Sequence, residues 1–385
     1  MMATLAAMGE WVAWGSALVV LMAVWNLRLF RRAPGASRPV PPVSILIPAR
    51  NEAAAIEEAV RGACAQTAPE VEVVVLDDGS ADATGDILAR LAGEMPRLRA
   101  VSGAALPPGW SGKAWACWQL ASQHARHGWI LFVDCDVRLQ PDAAARALAE
   151  AERQEVAFLS AFPRQVTETA AEALIVPMIY LQLMAFLPMA FVRRTRIPSL
   201  SAGCGQFMLA RRDAYLAADG HRANRSTLHD GLKLARRMKA AGFAVGVMDG
   251  FDLAACRMYA GFHQTWYGFV RNAYEALGSP GVLAAMVGLN TALFIVPFVT
   301  FPWALWTGGG TWAAGVWGIA LALPLGLRTA LALRFGTPLW TVPATPIAVA
   351  LMIAIQLTSF LQHATGRSVV WRARTYSGAA LTGKD

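Results

Sequence analysis

The sequence predicts an α/β protein, a mainly parallel sheet with helices on both faces, carrying transmembrane helices at its N- and C-terminal ends. Short apolar runs alternate with helical patterns through the middle of the chain, the order that builds a parallel sheet. The chain has 385 residues, of which 56% are hydrophobic and only 16% charged, with a mean hydropathy of +0.40. That is too apolar for an ordinary soluble enzyme, and the excess is concentrated at the two ends.

The first element is Trp11 to Leu27, a nearly uncharged stretch followed by Arg28, Arg31 and Arg32. A signal peptide carries its basic residues before the apolar run and a small-residue cleavage site after it, so this segment reads as a retained anchor with a basic linker, residues 1–38. With Arg38, these arginines place the next region, 39–280, on the cytoplasmic side. There Val43 to Pro48 is a strand ending in Pro-Ala-Arg-Asn-Glu, and a helical pattern starts at about Glu52 with Asn51 as its cap. Val71 to Leu76 is a buried-type strand leading into Asp77-Asp78-Gly79-Ser80 and a helix from about Asp82. A strand near Leu98 to Val101, a helix from about Lys113 and the strand Ile130 to Val133 follow.

That last strand runs into Asp134-Cys135-Asp136. Alternate strand residues share a face, so Asp134 and Asp136 stand together where the strand gives way to a loop. Two hard oxygen ligands there suit Mg2+ or Mn2+ carrying a diphosphate, because such ions keep few protein ligands. Ligands of parallel sheets bind beyond the carboxyl ends of the strands. Residues 48–52, Asp77-Asp78 and 134–136 therefore converge on one crevice. Gly109-Trp110-Ser111-Gly112-Lys113 lacks P-loop spacing, and no Gly-x-Gly-x-x-Gly follows the first strand. Metal, rather than a glycine cradle, is expected to handle phosphates.

Residues 170–191 are apolar and end in Arg193-Arg194-Thr195-Arg196. Pro177 and Pro188 fit a broken helix lying in the membrane interface. Three further spans, Val282 to Trp306, Trp312 to Leu333 and Leu339 to Leu361, are each near the ~20 residues a bilayer core needs. They make up a C-terminal region, 281–362, divided by Gly308-Gly309-Gly310 and Gly336-Thr337-Pro338 and followed by a basic tail, 363–385. Four crossings would leave Arg367, Arg372 and Arg374 outside, against the positive-inside trend. Either one C-terminal segment is re-entrant or interfacial, or the number of spans differs by one. The net charge of +8 fits a protein against anionic headgroups, and no nucleic-acid motif accompanies it. Cys64, Cys117, Cys135, Cys204 and Cys256 have no zinc-like spacing and read as reduced thiols.

The motifs Ile47-Pro48-Ala49-Arg50-Asn51-Glu52, Leu76 to Thr84, Leu106 to Lys113, Asp134-Cys135-Asp136, Gly205 to Leu209 and Trp371 to Tyr376 together resemble the membrane-associated family 2 glycosyltransferases of GT-A (Rossmann-like) fold. The nearest branch is that of bacterial carotenoid- and hopanoid-associated lipid glycosyltransferases. The resemblance implies an inverting transfer of one sugar from a nucleotide sugar, a UDP-sugar, to a membrane lipid hydroxyl at the cytoplasmic leaflet, by a multi-pass inner-membrane protein. It assigns Pro48, Asn51, Glu52, Asp77, Asp78, Lys113 and Asp134 to the donor, Asp136 to the metal and Asp230 to the general base. A carboxylate in a partly dry pocket has its proton affinity raised, as a base requires. His229 stands where the family has glutamate, and a protonated His229 would weaken that base.

Polysaccharide synthases of the family carry Gln-x-x-Arg-Trp near the acceptor. This chain has Gln264 with Tyr267 and Gly268 in the last two places, which argues against processive synthesis. Trp266 and Tyr267, with Gln264 and His229, are the acceptor-side candidates. Two competing functions are a polyprenyl-phosphate sugar synthase and a catalytically silent membrane scaffold or lipid transporter.

Overall fold

The computed structural model describes residues 2–35, 39–227, 229–307, 310–366, 369–371 and 374–376. Arg38, Gly308, Gly309, Arg367 and Arg372, to which the sequence gives roles, lie outside the described residues. In chain order the elements are α1 (Met2–Leu29), β1 (Val43–Ala49), α2 (Ile56–Cys64), β2 (Val71–Asp77), α3 (Thr84–Glu94), β3 (Leu98–Ser102), α4 (Gly112–Gln119), β4 (Trp129–Val133), β5 (Val137–Leu139) and α5 (Ala143–Gln154). Next come β6 (Phe158–Gln165), α6 (Ala170–Ile175), α7 (Met178–Phe186), α8 (Met189–Arg194), β7 (Phe207–Arg211), α9 (Arg212–Ala217), α10 (Asp230–Ala240) and β8 (Val245–Cys256). The last are α11 (Gly261–Val270), α12 (Ala273–Leu277), α13 (Pro280–Phe294), α14 (Val296–Trp306), α15 (Gly310–Phe335), α16 (Thr345–Ala364), β9 (Val369–Trp371) and β10 (Arg374–Tyr376). They form two units, one of residues 30–166, 189–258 and 366–385, the other of 1–29, 167–188 and 259–365.

The first unit is built on an eight-stranded sheet of order β3-β2-β1-β4-β7-β6-β8-β5. β1 runs parallel to β2 and β4, and β2 parallel to β3. This is the half the apolar runs foretell. β7 then enters antiparallel between β4 and β6, while β6 is parallel to β8 and β5 antiparallel to it, so the whole sheet is mixed. Ile45, Ile47, Val73, Val75, Leu131 and Val133 are buried at 1% exposure or less on the central strands. Such continuous β-branched and leucine burial is what a sheet covered on both faces requires.

The second unit is helical. Residues 4–29, 280–306, 310–335 and 345–364 are long and apolar enough to cross a membrane. The last begins at Thr345 rather than Leu339, because Leu339–Thr341 forms a 3-10 turn and Pro346 supplies the fixed φ favoured in a first helical turn. Pro177 and Pro188 break the segment near 170–191 into α6, α7 and α8, of which α6 and α7 belong to this unit. Two buried polar side chains bridge its helices. Buried Asn26 donates to the carbonyls of Met184 and Leu187 at 2.8 and 2.6 Å, and Gln182 donates to Asn290 at 2.9 Å.

Candidate active site

The carboxyl ends of β1, β2 and β4 lie side by side, with Ala49 opposite Asp77 and Leu46 opposite Phe132. The loop after β1 does not begin a helix at Glu52. α2 starts at Ile56, and its cap position, Ala55, makes no side-chain cap bond. Asn51 instead adopts a left-handed φ of 52°, which asparagine tolerates better than most residues. Its amide donates to Ser80 Oγ at 2.9 Å and its Oδ1 accepts from Ala81 N at 2.8 Å. The Glu52 amide donates to Thr84 Oγ1 at 2.8 Å. Thus Asn51 is a clasp between the β1 and β2 loops, not a helix cap.

Asp77 and Asp78 have different surroundings. Asp77 Oδ1 accepts the Ser80 amide at 2.9 Å and fixes the turn. Asp78 is 6% exposed, and the Arg374 guanidinium grips its carboxylate through both terminal nitrogens, Nη1 to Oδ2 and Nη2 to Oδ1. The Pro48 carbonyl accepts the Cys135 thiol at 3.3 Å, joining the β1 end to the aspartate triplet.

Lys113, assigned to the donor, is largely buried. It sits in the first turn of α4, where Ser111 caps the helix by accepting Ala114 N, and it points into the crevice. Its Nζ lies 2.6 and 2.7 Å from the two oxygens of Asp134 and 2.9 Å from Asp230 Oδ2. One ammonium therefore joins the strand-end carboxylate to the first residue of α10, which is far away in sequence. Loop 203–205 holds Asp230 in place. A Cβ on Gly205 would strike the Asp230 carboxylate, and one on Gly231 would strike the Gly205 backbone. The Gly231 amide donates to Asp230 Oδ1 at 2.8 Å.

The shared lysine separates the carboxylates electrostatically. Burial pushes the Asp134 carboxyl up, against the pull of Lys113 and with help from Asp136 and Asp230, to about 7. For Asp230 burial acts in the same upward direction, but Lys113 and then His221 outweigh it and hold the carboxyl below the ordinary range. Burial alone would raise Asp230, as a base requires, but with Lys113 beside it the net shift is downward. Burial opposes the charge on Lys113, yet Asp134 and Asp230 carry it well above the usual lysine value.

Asp136 is pushed up by burial and opposed by Lys113, with the Cys256 thiol at its carboxyl group. Its Oδ1 is buried and has no hydrogen-bond partner among the described residues. An open, hard oxygen of this kind fits a divalent cation. No group of three or more His, Cys, Asp or Glu side chains with metal-binding geometry occurs among the described residues, so other ligands would come from substrate and water.

Three neighbours were not foreseen. Gln206 links the floor: its carbonyl accepts Asp134 N at 3.3 Å, its Nε2 donates to Cys256 Sγ at 2.9 Å, and its Oε1 accepts Gln165 Nε2 at 2.8 Å. His221 is 1% exposed, with Nδ1 2.9 Å from Tyr215 Oη; burial pushes it down to about 4, against the upward pull of Asp230. Arg374 is the third. Gln206 and Arg374 fall within motifs named above, but their partners are distant in sequence and no local pattern gives them; His221 bonds a tyrosine six residues away, and no motif marks it. His229 occupies the cap position of α10, its amide donating to Thr227 Oγ1 at 3.2 Å. Gln264, Trp266 and Tyr267 are on α11 of the helical unit, where Gln264 Oε1 accepts Ala260 N at 3.0 Å and Trp266 stacks on Phe262 at 5.6 Å.

Residues 44–216 match the family described as Glycosyl transferase family 2. The chain carries a family 2 glycosyltransferase domain. Over 256 residues it is 30% identical to the 4,4'-diaponeurosporenoate glycosyltransferase of Staphylococcus aureus (strain MRSA252), covering 64% of each protein. The protein of that name from strain USA300 is 28% identical over the same length. The match thus spans a little under two thirds of these relatives' length. Among solved structures, the mannosyltransferase PcManGT from Pyrobaculum calidifontis, in complex with GDP-Man and Mn2+, superposes with a TM-score of 0.55 at 19% identity, over 93% of this chain and 99% of that one. The glycosyltransferase domain has the GT-A fold, and its strand ends carry the carboxylates described above.

Proposed function

We propose that the chain is an inverting, non-processive glycosyltransferase moving one sugar from a nucleotide sugar to an apolar acceptor delivered by a membrane. The observation that carries this reading is the Lys113 bridge, which brings the donor-side Asp134 and the candidate base Asp230 within reach of one ammonium. A sugar held at Asp134 and an acceptor oxygen at Asp230 would then be adjacent, the proximity such a transfer needs. The acceptor oxygen bonds to the anomeric carbon as the bond to the diphosphate breaks from the opposite face. The leaving diphosphate takes the electron pair, and Asp230 takes the acceptor proton.

Lys113 has two tasks in this scheme. Attracted to the donor phosphates, it loosens its hold on Asp230, and burial then raises that carboxyl toward the range of a working base. Pro48, Asn51, Glu52 and Asp77 line the nucleotide side, and Asp136 holds Mg2+ or Mn2+, which when bound supplies positive charge to the diphosphate. The Mn2+ in the PcManGT complex supports that assignment. His229, Gln264, Trp266 and Tyr267 are assigned to the acceptor. The relatives are named for diaponeurosporenoate, which supports a carotenoid-like acceptor, and four apolar helices support a multi-pass inner-membrane protein with its glycosyltransferase domain in the cytoplasm.

The test incubates membranes containing the protein with a panel of labelled nucleotide sugars, UDP-sugars first, and identifies the labelled lipid. Chelation with EDTA is expected to abolish transfer and Mn2+ to restore it. Asp230→Asn is expected to lower transfer at least ~100-fold, the usual scale of lost general-base catalysis, while Mn2+-dependent donor binding persists. Full activity in Asp230→Asn would remove the base and favour an acceptor already ionised, such as a carboxylate or a polyprenyl phosphate.

A further inference from the structure

Four helices are long and apolar enough to cross a membrane, yet four crossings would separate the two ends of the glycosyltransferase domain. We infer that α16 does not cross: it lies along the cytoplasmic face of the bilayer, and the chain crosses three times, through α1, α13–α14 and α15. The inference rests on the membrane placement proposed above and concerns which helix fails to span.

The contacts of α16 give the first argument. Only three residues separate α14 from α15, so the start of α13 and the end of α15 are on one side. The start of α16 is tied near that end of α15, with Arg328 Nε 3.3 Å from Thr345 Oγ1. The far end of α16 is tied at α12, immediately before α13. There the Tyr274 amide donates to Ser359 Oγ at 3.0 Å, and the Tyr274 ring lies 5.1 Å from Phe360 and 4.9 Å from His363. A helix of this length that crossed would have its ends about 30 Å apart along the membrane normal. α16 instead connects two helix ends on the same side.

Its middle gives the second. Ile355 and Leu351 pack with Ile175 of α6 and with Trp266, Phe269 and Val270 of α11. α6 has 6 residues and α11 has 10, too few to span, so α16, which also touches α13, lies partly against helices that do not cross. Its polar residues Thr345, Gln356 and Ser359 are buried, while Ile347, Leu357 and Leu361 are exposed at 57, 41 and 59%. Such a one-sided apolar stripe suits immersion at the headgroup–acyl boundary.

The tail gives the third. Arg374 holds Asp78 within the glycosyltransferase unit, nine residues beyond Thr365. Nine residues reach at most about 30 Å when fully extended. To return from the far side they would have to thread the whole hydrocarbon core as unpaired backbone, which lipid does not tolerate. With α16 on the surface, Arg374 is cytoplasmic, as the positive-inside trend requires.

Single cysteines introduced in the full-length chain, Thr311→Cys, Thr337→Cys and Thr365→Cys, test this by labelling with a membrane-impermeant maleimide. Thr311→Cys is expected to label in intact cells. Thr337→Cys and Thr365→Cys are expected to stay at the level of the parent chain until the membrane is permeabilised, and a fluorescent protein fused to the C-terminus of the full chain should fluoresce in the cytoplasm. Labelling of Thr365→Cys but not Thr337→Cys in intact cells, with a dark fusion, would overturn the inference. Failure of Thr311→Cys to label only from outside would instead sink the proposed membrane placement.

Discussion

His221 shows how one buried ring couples the site to pH. Its value falls from 6.5 in the unfolded chain to about 4 in the fold. Between those values the unfolded chain binds more protons, so stability is complete above about pH 6.5 and lost progressively as pH falls toward 4, by about 3 kcal/mol. His221→Gln is expected to flatten the dependence of Tm on pH across that window. An unchanged slope would mean that other groups set it. Arg374 and Asp78 make a second case. Removing either leaves the other charge unpaired in a largely buried place, the costly half of a salt bridge. Arg374→Asp and Asp78→Arg singly are expected to raise the donor KM at least ~10-fold, equivalent to ~1.4 kcal/mol, and the double exchange should recover much of it. Neither contact is legible in the sequence: a motif gives chemistry at one position, while Asp78 and Arg374 are 296 residues apart.

At the scale of elements, β1 to β4 are legible because each is a buried apolar run closed by polar residues. The antiparallel insertion of β7 is not. Its partners β4 and β6 are reached only by long connections, and no turn signal encodes a pairing of that range. The sequence places the start of α2 too early for a related reason: asparagine before an alanine-rich stretch looks like a cap, but Asn51 spends its side chain on the neighbouring loop. The close approach of loop 203–205 to α10 was also hidden, although it decides where Asp230 sits. Gly205→Ala would push a carboxylate already held by Lys113 and the Gly231 amide. A displacement of about 1 Å can cost on the order of 100-fold in rate, so kcat is expected to fall steeply while thermal unfolding changes little. A variant with normal kcat would show that the loop yields freely.

For the whole molecule, apolar excess at both ends of the chain was the most direct signal in the composition, and four long apolar helices account for it. Washing membranes with alkaline carbonate is expected to leave the full chain in the pellet; release into the supernatant would mean peripheral attachment. What composition could not supply was the count of crossings, since length and hydropathy treat α16 like α15. The distinction comes from partners, because α16 packs on the short helices α6, α11 and α12 as well as on α13, whereas α15 packs on α1 and α14, with Trp317 Nε1 donating to the Leu5 carbonyl at 3.2 Å.

The lysine shared by two aspartates also fixes the ionic balance of the crevice. Asp134, Asp136 and Asp230 set against Lys113 leave an excess of two negative charges when every carboxyl is ionised. A bare nucleotide diphosphate, itself anionic, is repelled by such a crevice, whereas a dication is drawn in. The donor is therefore expected to bind weakly alone and strongly with its metal, so that donor and cation titrate into the protein as a single species.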